Sequence, residues 1–372
     1  MSVLSVAVVG LRGIGVGHAR GFAALPGDFR LVAGCDLDET RTRAFAGEFP
    51  GTSAYPDYAG MLARARPDVV VIATNTVSHA GLAIGAAGAG VRGILLEKPM
   101  AVGLADARAV VAACRSAGCA LIVNHQRRTY PVFAAMRRLV EEGAVGKLLL
   151  VRGCCAGDIL SDGTHTVDTI RHLAGDAEVK WVMGQVHRDP PPSGEPRGMG
   201  YDASGGWRYG HPIESGAMAS FEFSTGVRAE VFTGTMCVPG HRGYQDFEAI
   251  GEDGRLWRAG DGAKIPLQVQ DRGAGGWRPV EVPGPADPVP TSSTLANYRE
   301  FARMIREGGG HPLSGDSALR DHEIIMAIHE SSRLRARVDL PLGQERYPLE
   351  LVLEEAQAGG PARKADGVIQ PE

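Results

Sequence analysis

The feature that most constrains this chain is an apolar run that ends abruptly in glycine. Ser5-Val6-Ala7-Val8-Val9 runs straight into Gly10-Leu11-Arg12-Gly13-Ile14-Gly15, and His18 to Leu25 continues with helical spacing. A short unbroken apolar run is the pattern of a strand buried on both faces, as in a parallel sheet. Glycine permits a tight turn and close backbone approach. A helix that starts there offers unpaired N–H groups and the positive end of its dipole to an anion. Arg30 to Cys35 has the pattern of a second strand, closed by Asp36. Strand, turn, helix, strand and acid follow in the order of a dinucleotide cradle. Gly10, Arg12, Gly13, Ile14 and Gly15 are expected at the pyrophosphate, and Asp36 at the adenosine ribose. The spacing departs from G-x-G-x-x-G, because Arg12 holds the third position. Asp36 favours NAD over NADP, since a carboxylate there repels a 2′-phosphate; Arg12 and Arg41 partly offset this.

The alternation continues to about residue 125. Asp68 to Ala73, Gly93 to Leu96 and Ala120 to Val123 are buried-strand patterns, with helical segments such as Ser78 to Ala89 and Leu104 to Ser116 between them. This predicts an α/β domain over 1–125: a Rossmann-type, doubly wound parallel sheet, with ligands at the carboxyl ends of the strands. Asn75, Glu97, Lys98 and Asn124 directly follow such strands, and that placement makes them candidate site residues.

Beyond residue 130 the pattern changes. Pro131 to Glu142 has helical spacing. Leu148 to Cys154, Val179 to Val186, Ala217 to Ser224, Ala229 to Thr235 and Asp246 to Gly251 are strand candidates with few helices between them. Period-two alternation in Ala219 to Phe223 and Ala229 to Thr233 signals a sheet with two differently covered faces. Residues 126–356 are therefore expected to form an α+β domain with a largely antiparallel open sheet. It would bind substrate and carry a homodimer or homotetramer contact on its open face. Ser293 to Arg306 and Ser317 to Arg335 are amphipathic helices that can return to the first domain, and 357–372 is expected to be a flexible tail. Asp189 to His211 has no periodicity; its Trp207, Arg208, Tyr209 and His211 either cover a substrate or serve an oligomer contact.

The 372 residues carry a net charge of −4, with 44% apolar and 22% charged residues. That is an ordinary globular composition without the concentrated basic face of a nucleic-acid binder. The six cysteines include no C-x-x-C pair or zinc-type spacing, so reduced thiols and no metal site are expected. No basic, cleavable leader is seen, and no apolar run approaches the ~20 residues that span a bilayer. The expected location is cytoplasmic, with no membrane partner.

These residues match a family. The glycine turn with His18, Asp36, Thr74 with His79, Glu97-Lys98-Pro99, Gln126-Arg127-Arg128 before Pro131, and Gly163-Thr164-His165-Thr166-Val167-Asp168 resemble the Gfo/Idh/MocA oxidoreductases. Later segments, Pro312 to Asp316 and Val338 to Pro341, extend the likeness over most of the chain. The resemblance implies NAD(H)-dependent oxidation or reduction of a secondary alcohol or ketone. The substrate would be a sugar, a cyclitol or a sugar-containing molecule such as an aminoglycoside. It places Lys98 beside the nicotinamide and the substrate hydroxyl, gives His165 the general acid/base role, and puts Thr74, Asn75, His79 and Glu97 around the cofactor. Family members often carry an aspartate four residues before that histidine, where this chain has Ser161, with Asp162 next to it. Both are candidate caps for the following helix.

The chemistry suits these residue types. Imidazole titrates near neutral pH, and an ammonium group stabilises a developing alkoxide. Asp168, three residues after His165, either orients that imidazole or is a structural helix residue. Gln126, Arg128 and Asp162 are candidates for substrate binding; Gln126 and Arg128 could equally join the two domains. The same site also fits a redox-neutral, NAD-dependent glycoside-processing enzyme, or a cofactor-binding sensor without catalysis.

Overall fold

Six parallel strands order the first half of the chain. The computed structural model describes residues 2–188, 206–237, 244–273, 275–282 and 292–358. Strands β1 (Leu4–Val9), β2 (Phe29–Cys35), β3 (Ser53–Tyr55), β4 (Val69–Ile72), β5 (Gly93–Leu96) and β6 (Ala120–Val123) lie in the order β3-β2-β1-β4-β5-β6. All five pairings are parallel. Helices α1 (Gly13–Ala23), α2 (Glu39–Glu48), α3 (Tyr58–Ala65), α4 (Thr76–Gly88) and α5 (Leu104–Ser116) connect them. Each residue of β4 and β5 is buried, because helices cover both faces and leave no solvent side to alternate toward. The chain order reverses between β1 and β4, and the crevice at their carboxyl ends is where such sheets bind ligands.

The second half begins with α6 (Pro131–Glu141), β7 (Leu148–Cys155), α7 (Gly163–Leu173) and β8 (Val179–His187). A small hairpin pairs β9 (Trp207–Arg208) with β10 (His211–Pro212). Then follow β11 (Gly216–Phe223), β12 (Arg228–Thr233), β13 (Asp246–Gly251), β14 (Gly254–Arg258), β15 (Leu267–Asp271) and β16 (Arg278–Pro279). The chain ends in α8 (Ser292–Glu307), α9 (Gly315–Leu334), β17 (Val338–Asp339) and α10 (Pro348–Gln357). The large sheet runs β16-β15-β14-β13-β7-β12-β11-β8-β17. Its pairings are antiparallel except for β7 with β12, so the expected largely antiparallel sheet is present, with one parallel join.

Alternation sets the two faces of this sheet. Ala217, Ala219, Phe221 and Phe223 of β11 point into a core with Val167 and Ile170 of α7 and Ile324, Ile325 and Ile328 of α9. The intervening residues point to the open face, where Met183 and Met218 are 55% and 41% exposed.

Helix α8 returns to the first sheet. Its Tyr298, Phe301 and Ala302 join Leu4, Val6 and Val8 of β1 and Phe22 of α1 in one core, and Tyr298 stacks on Phe22 with ring centroids 4.3 Å apart. Most of the 189–211 loop and the tail beyond residue 358 lie outside the described residues. Among the described residues, no helix is long and apolar enough to cross a membrane.

Phe301 has no exposed surface, whereas Leu37 is 91% exposed. Phe301→Ala is expected to destabilise the protein by about 3–5 kcal/mol. Leu37→Ala should stay within about 0.5 kcal/mol. Denaturant unfolding followed by circular dichroism measures both.

Candidate active site

The glycine turn is built as the spacing requires. Gly10 adopts φ +88°, and a Cβ there would overlap the Ala73 carbonyl at the end of β4. Gly15 is buried where α1 meets the turn, while Gly13 faces open space. Arg12, at the N-cap of α1, makes no side-chain cap hydrogen bond. The first-turn N–H groups are thus left without a side-chain cap, as an anion at that helix end requires. Asp36 ends β2 with its carboxylate already in use: the Leu11 N–H donates to one oxygen at 2.9 Å and the Asp38 N–H to the other at 2.9 Å. Arg41 lies 3.4 Å from the same carboxylate. The acid therefore ties the second strand to the glycine turn as well as facing the cleft.

Gly10, Arg12, Asp36 and Arg41 help wall a cavity of about 820 Å³, while Gly13, Gly15 and His165 are not among its lining residues; the size is typical of a small-molecule or cofactor site. Gly10, Arg12, Ile14, Asp36, Thr74, Asn75, Glu97, Lys98 and Asp162 all line it. Leu37, Tyr58, Val77 and Leu82 also form walls that carry no sequence signal, since single side chains scattered over a loop and two helices make no motif.

Glu97 anchors the inner end. Its Oε1 accepts from His18 Nε2 at 2.9 Å and from Asn124 Nδ2 at 2.6 Å, while Oε2 accepts from the Lys98 N–H at 3.2 Å. Burial pushes this carboxyl up, but the His18 hydrogen bond and the charges of His18 and Lys98 outweigh it and hold the group at about 2. His18 is fixed in turn by the Tyr298 hydroxyl of α8 at 2.7 Å. The peptide between Lys98 and Pro99 is cis. Lys98 Nζ crosses to the second half of the chain and donates to the Ser161 carbonyl at 2.9 Å. His79 does not line the cavity. It is buried, with Nδ1 2.8 Å from the Pro99 carbonyl oxygen and Nε2 3.1 Å from that of Thr74, so it braces the two loops that do.

His165, in the first turn of α7, is 3% exposed, and its Nδ1 has no hydrogen-bond partner. Burial, with the positive charges of Lys98, Arg127 and His125, pushes this imidazole well below its usual pKa. Of the two roles left open for Asp168, its hydrogen bonds favour the structural one. The Asp168 carboxylate is held by Arg128, at 2.6 Å from Nη2 and 2.9 Å from Nε. Both side chains are buried, so Arg128 is spent on this ion pair and is not presented to substrate. Gln126 does not line the cavity either, and its Oε1 is buried without a partner. A buried charged pair satisfies itself before it serves a ligand.

Behind His165 lies a cluster that sequence spacing could not reveal, because its members come from three elements. His125 stands edge-on to His165, with centroids 5.7 Å apart, and its Nε2 is 2.8 Å from Thr164 Oγ1. His125, Asp168 and Asp321 bring ligand-type atoms within 4.8 Å of one another. Arg128 and Arg171 already occupy the two carboxylates, making this an ion-pair cluster. Burial lowers His125 to about 4 and raises Asp321 to about 6.

The loop before α7 also differs from expectation. Neither Ser161 nor Asp162 caps the helix through its side chain: Ser161 Oγ has no partner and Asp162 makes no cap bond. Asp158 holds the turn instead, accepting from the Ser161 N–H at 2.6 Å. Asp162 is thereby released toward the cavity, where it accepts from Arg208 Nη1 at 2.5 Å and from the Tyr244 hydroxyl at 3.3 Å.

Known proteins share this architecture. Residues 4–125 match the model of the Gfo/Idh/MocA family, described as an oxidoreductase family with an NAD-binding Rossmann fold. The D-apiose dehydrogenase of Paraburkholderia graminis is 45% identical over 116 residues, so the alignment spans only 31% of each protein. The levoglucosan dehydrogenase of Pseudarthrobacter phenanthrenivorans is 26% identical over 92% of this chain and 99% of its own length. A solved structure of levoglucosan dehydrogenase with NADH and levoglucosan has the same fold, with a TM-score of 0.73 at 23% identity over 92% of this chain and 100% of that one. The first domain thus matches the Gfo/Idh/MocA family model, and the whole chain shares its fold with levoglucosan dehydrogenase.

Proposed function

We propose that this protein is an NAD(H)-dependent oxidoreductase interconverting a secondary alcohol and a ketone on a sugar or cyclitol. The observation that carries this reading is Lys98. It stands at the carboxyl end of a parallel strand and lines the same cavity as Gly10, Arg12 and Asp36. The dehydrogenase names of the sugar-acting relatives support it.

The residues fit a dinucleotide. The turn at Gly10 admits backbone approach, α1 presents its uncapped end, and Asp36 offers a carboxylate to a ribose while opposing a 2′-phosphate. A bound nicotinamide supplies a hydride acceptor at its C4. Lys98 binds the substrate hydroxyl oxygen and stabilises the charge that develops as its proton leaves. His165 takes that proton. Its depressed pKa keeps the imidazole neutral, and therefore able to accept, well below neutral pH. Asp168, Arg128 and His125 support α7 and the loop after β6 rather than touch substrate. The partner expected at the open face of the large sheet is a second copy of this chain, which would cover Met183 and Met218.

Lys98→Ala is expected to lower turnover by about 10²–10³-fold while leaving NADH binding near the wild-type level. Unchanged turnover would contradict the role. Because His165 is held below its ordinary 6.5, kcat/KM for alcohol oxidation should stay level as pH falls from about 8 through about 6.5. A decline centred near 6.5 in a pH–rate profile would show an unshifted histidine. Light scattering of the purified chain should report a dimer or tetramer; a monomer at micromolar concentration would remove the sheet-face contact.

A further inference from the structure

The hairpin β9–β10 reaches the cavity from the second half of the chain and is used by none of the chemistry above. Arg208 and Tyr209 line the cavity together with Thr74, Val77 and Lys98 of the first domain. Arg208 Nη1 donates to Asp158 at 3.0 Å and to Asp162 at 2.5 Å, and its guanidinium lies over the Tyr209 ring, 5.0 Å from the centroid. The side chain of Asp158 is fully buried, so this cation is fixed to the loop before α7.

The tip of the hairpin is fixed to the other domain. Tyr209 and Gly210 adopt φ +49° and +89°, both left-handed. That turn sets Gly210 so closely on the start of α4 that a Cβ would lie 2.8 Å from Val77 Cγ2. The base is closed as well: Arg188 Nε donates to the Ile213 carbonyl at 3.2 Å, and the Ile213 N–H to the Gly206 carbonyl at 3.0 Å. One short segment thus spans from Asp158 and Asp162 across the cavity to Val77.

We propose that this hairpin is a clasp over the dinucleotide, with Arg208 as the positioning residue that holds Tyr209 against the cofactor and slows its release. The proposal rests on the cofactor reading given above. Positive φ at both Tyr209 and Gly210 is what a two-residue hairpin turn requires, so the tip is a short, locally defined turn between the two anchors. Loss of either anchor should free the tip without touching the glycine turn or Asp36. Because Tyr209 and Asp162 share a wall, the clasp also places the Asp162 carboxylate beside the substrate space.

The test is the rate at which NADH leaves, read from its fluorescence after rapid mixing with excess NAD. Arg208→Ala should speed release by about tenfold or more, since tuning of affinity falls mostly on dissociation. Arg208→Lys should restore part of the retention. Gly210→Val breaks the opposite anchor and should speed release with Asp158 and Asp162 still paired. It remains a valid test if Arg208→Ala fails to fold. Wild-type release rates in folded Arg208→Ala or Gly210→Val would overturn the clasp. Failure of the unaltered protein to bind NADH at all would instead overturn the cofactor reading on which it rests.

Discussion

The site is organised around one half-buried carboxylate. Glu97 ends β5 and gathers donors from three directions: His18 from α1, Asn124 from the end of β6, and the backbone N–H of Lys98. Through His18 and Tyr298 it also reaches α8, the helix that returns from the far end of the chain. An ionised acid largely withdrawn from water is tolerable only when its partners are fixed, so the group that satisfies Glu97 also fixes the cradle helix and the direction of Lys98. The sign of the resulting pKa has a consequence for stability. A carboxyl lying at about 2 when folded, against about 4.5 when free, favours the folded state above that ordinary value. Its contribution is lost as pH falls toward 2.

A second constraint is the division of labour between the two sheets. The parallel sheet, buried on both faces, brings the ends of β1, β2, β4 and β5 to one crevice. Among the described residues, α7 and α9 cover one face of the large sheet, which contributes the loop of Asp158 to Asp162 and the clasp residues. Lys98 joins the two through its bond to the Ser161 carbonyl. A hydrogen bond from the reactive amine to backbone leaves its position independent of the side chain at 161.

Much of this was legible in the residues. The all-apolar strands around Val71 and Leu95, the glycine turn and Asp36 encode a parallel sheet and its ligand crevice through local patterns, and those patterns survive folding. Short strands such as β3, β14 and β15 were not legible, because three to five residues with polar members carry too little periodicity. Motif and strand end coincide at Lys98 and Glu97, and both side chains line the cavity. Spacing alone left Asp168 open between orienting His165 and a structural role in its helix. Asp168 is one helical turn from His165, yet Arg128, forty positions earlier, takes its carboxylate. Asp162 was a candidate both for a helix cap and for substrate binding; its side chain makes no cap bond and lines the cavity. Partners distant in sequence decide such cases, and no local pattern records them.

The central claim is that Lys98 stands where a nicotinamide meets a hydroxyl of a neutral polyol. It is tested most directly by following NADH absorbance as the purified protein is mixed with NAD, or with NADP in parallel, and a panel of sugars and cyclitols. NADH formation with NAD and at least one such polyol, and weaker or absent signal with NADP, is the predicted result. Tight NAD binding with no reduction by any polyol in the panel would contradict it.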